Sequence, residues 1–373
     1  MEKEKTVYFK NLDGLRAIAA FSVLFFHTCH WFKIPNNSNT YYLLTFGKSG
    51  GILGVQFFLI LSGFLITYLM FIEHTLNKKI NIIKFYFRRL LRVWPLYYLT
   101  LFIGFFAYPL ILKTFTGITY SEDASLFLYS IFAVNFDHIY NKFPTIGILG
   151  VHWSVAIEEQ FYLIWPLIFS LFIKTKKFPL FLIILILYSE IFYIQNINSY
   201  TGYYHFISNV RFLAFGAIIA YLCFFNIKLI ECILQKISKK MNLLIYIGCI
   251  LLMFFQSILL EKSHYFSFII EIIPTFFFSY VILDQNFSNT SFFKLGEIKV
   301  LNWLGKISYG IYLYHMIAIY FVINLIPMKK ETIPLQLLIT IILTILISYL
   351  SHKYFESFFI NIKKKFSYQS SIS

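Results

Sequence analysis

Charged residues are scarce. Only 13% of the 373 residues are Asp, Glu, Lys or Arg, while 59% are hydrophobic. A soluble domain carries about 25% charged residues, so this composition excludes a water-soluble chain and leaves a polytopic membrane protein. Acidic residues are the scarcest of the charged set, 17 against 32 Lys and Arg, for a formal net charge of +15. Such an excess also marks nucleic-acid binders. Here the basic residues sit in short loops between apolar runs, and no soluble basic domain carries them, so no nucleic-acid partner is expected. The four cysteines, Cys29, Cys223, Cys232 and Cys249, have no metal or redox spacing. They read as small apolar fillers, and no metal site is expected. No A-x-A site ends the first apolar run, which carries Asp13, Arg16 and His27, so it reads as a retained span and not a cleaved signal. There is no internal repeat, low-complexity tract or soluble domain.

What is present is a series of apolar runs of membrane length. They fall at about 13–32, 50–72, 92–112, 147–173, 179–197, 206–225, 243–260, 265–284, 303–326 and 334–355, which predicts an all-α protein of about ten transmembrane helices. Basic residues collect in loops 73–91, 174–178, 226–242 and 285–302 and in the tail. That bias places both termini in the cytoplasm. The longest opposite loop, 113–146, has an apolar middle (SLFLYSIFAVNF) too short to span, which reads as a re-entrant or interfacial helix. Residues 1–360 form one transmembrane domain in this reading, and 361–373 a short basic cytoplasmic tail.

The chain is organised around residues 11–31, NLDGLRAIAAFSVLFFHTCHW. Arg16 and His27 are eleven residues apart. At about 100° and 1.5 Å per residue they share one helical face and lie about 16 Å apart along the axis, roughly half a bilayer core. Asp13, Ala20, Val23 and His30 fall near the same stripe. The arrangement reads as a site running along a helix. An imidazole takes a proton near physiological pH, so His27 is suited to deprotonate a hydroxyl that attacks an acyl carbonyl.

Four further stretches carry groups that are costly inside a membrane. In FYFRRLLRVWPLYYL (85–99), Arg89 and Arg92 share a face, and guanidinium forks suit phosphate oxygens; simple anchoring at a positive inner face is the competing reading. In GILGVQFFLILSGFLIT (51–67), small residues read as a close helix contact, and Gln56 is a polar group that can face the site. In LGVHWSVAIEEQFYLIWP (149–166), Trp153, Ser154, Glu158 and Tyr162 lie on one helix, with Glu158 at a depth similar to His27, where a carboxylate can orient an imidazole. In LGKISYGIYLYHMIAIY (304–320), Ser308, Tyr312 and His315 form a polar stripe. Glu190 and Arg211, on consecutive helices, are placed to pair, and Glu271 is a further intramembrane charge.

These segments, in this order, resemble the membrane-bound acyltransferase-3 family of polysaccharide O-acyltransferases. The matching stretches are LDGLRAIAAFSVLFFH, GVQFFLILSGFLIT, RRLLRVWPLYY, HWSVAIEEQFYLIWP and LGKISYGIYLYH, spread over the whole chain. The resemblance implies a multi-pass enzyme of the bacterial cytoplasmic (inner) membrane. Such an enzyme moves an acyl group, usually acetyl, from cytoplasmic acyl-CoA to a sugar hydroxyl of a surface polysaccharide or lipid-linked glycan. His27 and Arg16 match the family's Arg-x10-His motif, Arg89 and Arg92 its Arg-x-x-Arg pair linked to the donor, and Trp153, Ser154 and Glu158 its W-S-x-x-x-E helix. The implied roles are His27 and Glu158 as catalytic residues, with Arg16, Arg89 and Arg92 binding acyl-CoA. Asp13, Gln56, Trp153, Ser154, Tyr162, Ser308 and His315 would line the substrate site. Gln56 stands where an acidic residue is frequent, Tyr314 where tryptophan is common, and Ser357 where proline is usual. Some relatives carry an extra outer-side hydrolase-like domain, which is not expected in this chain. His27 acts either as general base or as a transient acyl carrier. The competing class is a carrier or flippase for a sugar or lipid-linked substrate, which also buries His, Glu and Arg between spans.

Overall fold

The computed structural model describes residues 8–120, 123–141, 147–173, 175, 177–262, 267–327, 329 and 331–366, with the backbone alone at 257–262 and 267–271. Lys174, Lys176 and the side chain of Glu271 lie outside the described residues. The chain is helical, and the described residues contain no strand. Nine helices among them are long and apolar enough to cross a membrane, and Ser267–Phe287 is a further helix of 21 residues.

The long helices are α1 (Lys10–Trp31), α2 (Gly50–Asn77), α3 (Ile82–Phe102), α4 (His152–Phe172), α5 (Phe178–Gln195), α6 (Phe206–Phe225), α7 (Lys239–Lys262), α8 (Ser267–Phe287), α9 (Ser308–Leu325) and α10 (Ile333–Leu350). Helix α3 runs on through a π turn, Ile103–Ala107, into Tyr108–Thr116, where Gly117 ends it at φ 72°. Helix α10 runs on through a second π turn, Ser351–Glu356, into Ser357–Lys363. Local chemistry sets several starts. Asn81 caps α3 by accepting from Lys84 N, and Pro179 and Pro334 sit in the first turns of α5 and α10, where a missing N–H costs nothing.

Two positions differ from the hydropathy reading. The run expected at 303–326 is broken at Ile307, which separates a short helix, Lys299–Lys306, from α9. The break lets Gly305 seat against α1: a Cβ there would lie 1.9 Å from Asp13 O. The loop segment 125–136 forms two short helices, Leu126–Ser130 and Val134–Tyr140. It is held against α3 and α4 by Tyr97 donating to Tyr129 O and by Gln160 donating to Phe132 O and Asn135. It therefore leaves the order of spans unchanged.

Helices α2 and α6 meet backbone to backbone. A Cβ on Gly63 would lie 2.0 Å from Leu213 O, and one on Gly216 2.0 Å from Ile60 O. Close approach through small residues is the membrane substitute for a hydrophobic drive between helices. Gly54 similarly faces Ala19 O and Val23 of α1, so the 51–67 glycines pack helices as the sequence indicated. Two buried ion pairs lock the frame. Arg211 donates to Glu190 at 2.9 Å, joining α5 to α6. Arg88 donates to Glu73 at 2.7 Å and to Phe366 O at 3.1 Å, joining α2, α3 and the C-terminal segment. Asn11 clamps the start of α1, donating to Gln285 O and accepting from Gly296 N.

Candidate active site

A cavity of about 700 Å³ opens between α1, α2, α3, α4, α9 and the C-terminal segment. Its lining collects Asp13, Arg16, Arg89, Arg92, Ser154, Glu158, Tyr162 and Ser308, residues drawn from four separate sequence motifs. Five cations border it, Arg16, Arg89, Arg92, Lys306 and Lys363, against two carboxylates, Asp13 and Glu158. Lys306 and Lys363 were not singled out in the sequence. Lys306 falls within the run expected at 303–326, and Lys363 within the basic tail. The break at Ile307 and the π turn at Ser351–Glu356 bring both to the cavity.

The cations are held in different ways. Asp13 accepts from Arg16 at 2.6 Å and also from the Tyr8 hydroxyl. Burial, and then the bond to Asp13, push the Tyr8 hydroxyl up to about 12, so it stays a donor. Arg88 is spent on Glu73, whereas its neighbours turn to the cavity. The Arg89 guanidinium lies 5.7 Å from the Tyr162 ring centroid, and its buried Nε has no partner among the described residues. A guanidinium with an unused donor beside a cavity is suited to an anionic oxygen.

Deeper in, Glu158 accepts from Ser62 at 2.7 Å and from Tyr162 at 3.0 Å. Glu159 points away and accepts from Trp94 Nε1. Ser154 shares a 2.7 Å hydrogen bond with Tyr312, and the Tyr312 hydroxyl also donates to Val151 O. Tyr312 forms the inner limit of the cavity towards the histidines. Its ring centroid is 6.0 Å from that of His315, and His315 Nε2 is 3.2 Å from His27 Nδ1. The polar stripe Ser308–Tyr312–His315 thus runs from the cavity to His27.

The expected pairing of Glu158 with His27 is replaced. His27 meets Val23 O and His315, and Glu158 meets Ser62 and Tyr162. Similar depth on two helices fixes height, not rotation, and Glu158 is turned to α2. Two other candidates stand apart from the cavity lining. Trp153 packs against Tyr203 and Tyr204, with ring centroids 5.5 and 5.0 Å away. Gln56 is buried with its Oε1 unpartnered among the described residues. Among the described residues no cluster of His, Cys, Asp and Glu could hold a metal.

Comparison with known proteins follows the same motifs. A family model described as an acyltransferase domain matches residues 9–353. The chain is 28% identical over 372 residues to the peptidoglycan O-acetyltransferase OatA of Listeria monocytogenes, covering 94% of this chain and 55% of that protein. It is 30% identical over 366 residues to the O-acetyltransferase OatA of Staphylococcus aureus, covering 94% and 57%. It is also 29% identical over 384 residues to a putative O-acetyltransferase of Staphylococcus aureus, covering 95% and 58%. The chain therefore spans a little over half the length of these relatives. No solved structure matches. With nearly its whole length matched, and with the five motif stretches converging on one cavity and the histidines beside it, the chain is a multi-pass member of the acyltransferase-3 domain family.

Proposed function

We propose that this protein transfers an acetyl group from cytoplasmic acetyl-CoA to a hydroxyl of a cell-surface polysaccharide. Peptidoglycan is the first acceptor to test, because it is the acceptor for which the Listeria relative is named. The observation that carries the reading is the polar track itself. Five cations border one cavity, Glu158, Ser62 and Tyr162 line its middle, and Ser154 and Tyr312 lead to His27. The CoA phosphates would lie against Arg16, Arg89 and Arg92, joined by Lys306 and Lys363, as charge-assisted contacts. Arg16 and His27 are about 16 Å apart along α1, a distance of the order of an extended pantetheine arm, so the thioester would reach the imidazole.

His27 then serves in one of two ways. As general base it removes the hydroxyl proton, the alkoxide attacks the thioester carbonyl, the C–O bond forms, the C–S bond breaks, and the departing thiolate takes the proton from the imidazolium. As nucleophile its bare nitrogen attacks the thioester carbonyl and the C–S bond breaks, releasing CoA thiolate; the hydroxyl then attacks the acetyl-imidazole, the C–N bond breaks, and the hydroxyl proton ends on the thiolate, leaving the imidazole neutral. Oxyanion stabilisation requires donors near the carbonyl. The location in this reading is the bacterial cytoplasmic membrane, with both termini inside.

The test is the O-acetyl content of surface polysaccharide, read by proton NMR in a deletion strain complemented with wild type or His27→Ala at equal membrane levels. O-acetyl signals are expected with wild type and not with His27→Ala. Restoration by both proteins would remove His27 from the chemistry. If neither restores them while labelled glycan crosses the membrane, the carrier reading stands instead.

A further inference from the structure

Two imidazoles, the half-buried His27 on α1 and the buried His315 on α9, form a hydrogen-bonded pair whose proton positions follow from their partners. His27 Nδ1 lies 3.0 Å from Val23 O and 3.2 Å from His315 Nε2. His315 Nδ1 lies 3.2 Å from Ile311 O. A carbonyl oxygen only accepts, so each Nδ1 that faces one carries the hydrogen. A neutral imidazole has a single N–H, so each Nε2 is left with a lone pair. The lone pair of His315 Nε2 is therefore available to the His27 Nδ1–H, which it shares with Val23 O. All three contacts are satisfied by two protons, and none is left over.

We propose that His315 is a positioning residue that, together with Val23 O, holds His27 as the Nδ1–H tautomer and thereby presents Nε2 as the reacting nitrogen. The inference rests on the reading of His27 as the reacting group. It assigns to a neutral imidazole the task that a carboxylate performs in an acid–base triad: fixing the tautomer and the ring orientation. It also accounts for the absence of Glu158 from this position. When Nε2 takes the hydroxyl proton, His27 becomes an imidazolium whose Nδ1–H still points at His315 Nε2, and that hydrogen bond becomes charge-assisted. When Nε2 returns the proton to the thiolate, the pair is restored to its starting state. The other titratable groups around the pair are His30 on α1, His152 on α4 and Tyr312 on α9. No carboxylate bonds to either ring among the described residues. The pair is thus set to work as a neutral unit, and the rings are tilted 37° with centroids 5.1 Å apart, in contact but not stacked.

The test uses the full chain in lipid nanodiscs with 15N-labelled histidine, the His27 resonances being assigned by difference from His27→Gln. Wild type is expected to show His27 with a protonated Nδ1 and a bare Nε2, and a protonated Nε2 would overturn the proposal. In His315→Leu, His27 is expected as a mixture of tautomers, with kcat down about 100-fold and the KM for acetyl-CoA within about twofold of wild type. His315→Gln, whose Oε1 still accepts from Nδ1–H, is expected to keep the wild-type tautomer and recover much of kcat. Wild-type kcat in His315→Leu, or equal loss in both variants with an unchanged tautomer, would reject the positioning role. If wild type itself transfers no acyl group, the proposed function fails, and the NMR result still decides the tautomer separately.

Discussion

Neighbouring arginines of one type have different tasks, and their partners decide which. Arg88, Arg89 and Arg92 lie within one helical turn and a half. Arg88 is paired with Glu73 and donates to Phe366 O, while Arg89 and Arg92 face the cavity. Replacing Arg89 and Arg92 together by Ala is expected to weaken CoA binding by at least about tenfold per arginine, the loss of one charge-assisted contact each. It should also flatten the salt dependence of binding. Calorimetric titration with CoA at two ionic strengths measures both, and unchanged affinity would move the donor site elsewhere. The sequence carried this distinction only in part. The Arg89–Arg92 spacing marked a shared face, yet nothing in RRLLR shows that Arg88 meets a glutamate from the preceding helix. The same limit explains Glu158. Helical rise gave its height beside His27, but its rotation is set by packing between α2 and α4, which single-sequence spacing does not encode. His315, one member of a stripe in the sequence, turned out to be the group that touches His27.

Elements were more legible than side-chain partners, because hydropathy reports burial in lipid directly. Each expected span corresponds to a long helix, the described residues including nine that meet the length and composition of a crossing helix. The misses lie where backbone contact overrides composition. At Ile307 the apolar run is broken to seat Gly305 on Asp13 O, and Lys306 within that run was the signal that the helix ends there. The glycine contacts make a sharp prediction. A Cβ on Gly216 would fall 2.0 Å from Ile60 O and 2.5 Å from Phe64 N, whereas one on Gly248, in α7, meets nothing within 4 Å. Gly216→Val should destabilise the protein by about 3 kcal/mol or more, the upper range of overpacking, because the obstacle is backbone and cannot rotate away. Gly248→Val should be neutral or slightly favourable through lower chain entropy. Thermal unfolding of both variants in detergent decides it, and equal stability would mean that α2 and α6 can separate without cost.

At the scale of the whole molecule, the question is which face of the membrane holds the cationic mouth. The short helix Ile227–Gln235 carries Cys232, an exposed cysteine, whereas Cys29 and Cys223 are buried and Cys249 is half-buried. Thr290 donates to Leu234 O, fastening this helix to the segment after α8. That segment holds Lys294, which donates to the carbonyls of Asp284, Gln285 and Ser288, and burial lowers the Lys294 ammonium from its ordinary value. Gln285 O in turn accepts from Asn11 at the start of α1, five residues before Arg16. A continuous set of contacts therefore places Cys232 on the same face as Arg16 and the cavity mouth. In the topology expected from the lysine bias of the loops, that face is the cytoplasmic one. A membrane-impermeant maleimide is accordingly expected to label Cys232 in inside-out vesicles and leave right-side-out vesicles unlabelled, with Cys232→Ser as the blank. In matching vesicles, acetyl-CoA should support transfer only when supplied on the face where Cys232 reacts. Labelling from the outside would invert the topology and strand the five cations away from cytoplasmic CoA. Transfer from the opposite face would separate the donor site from this cavity even with the topology intact.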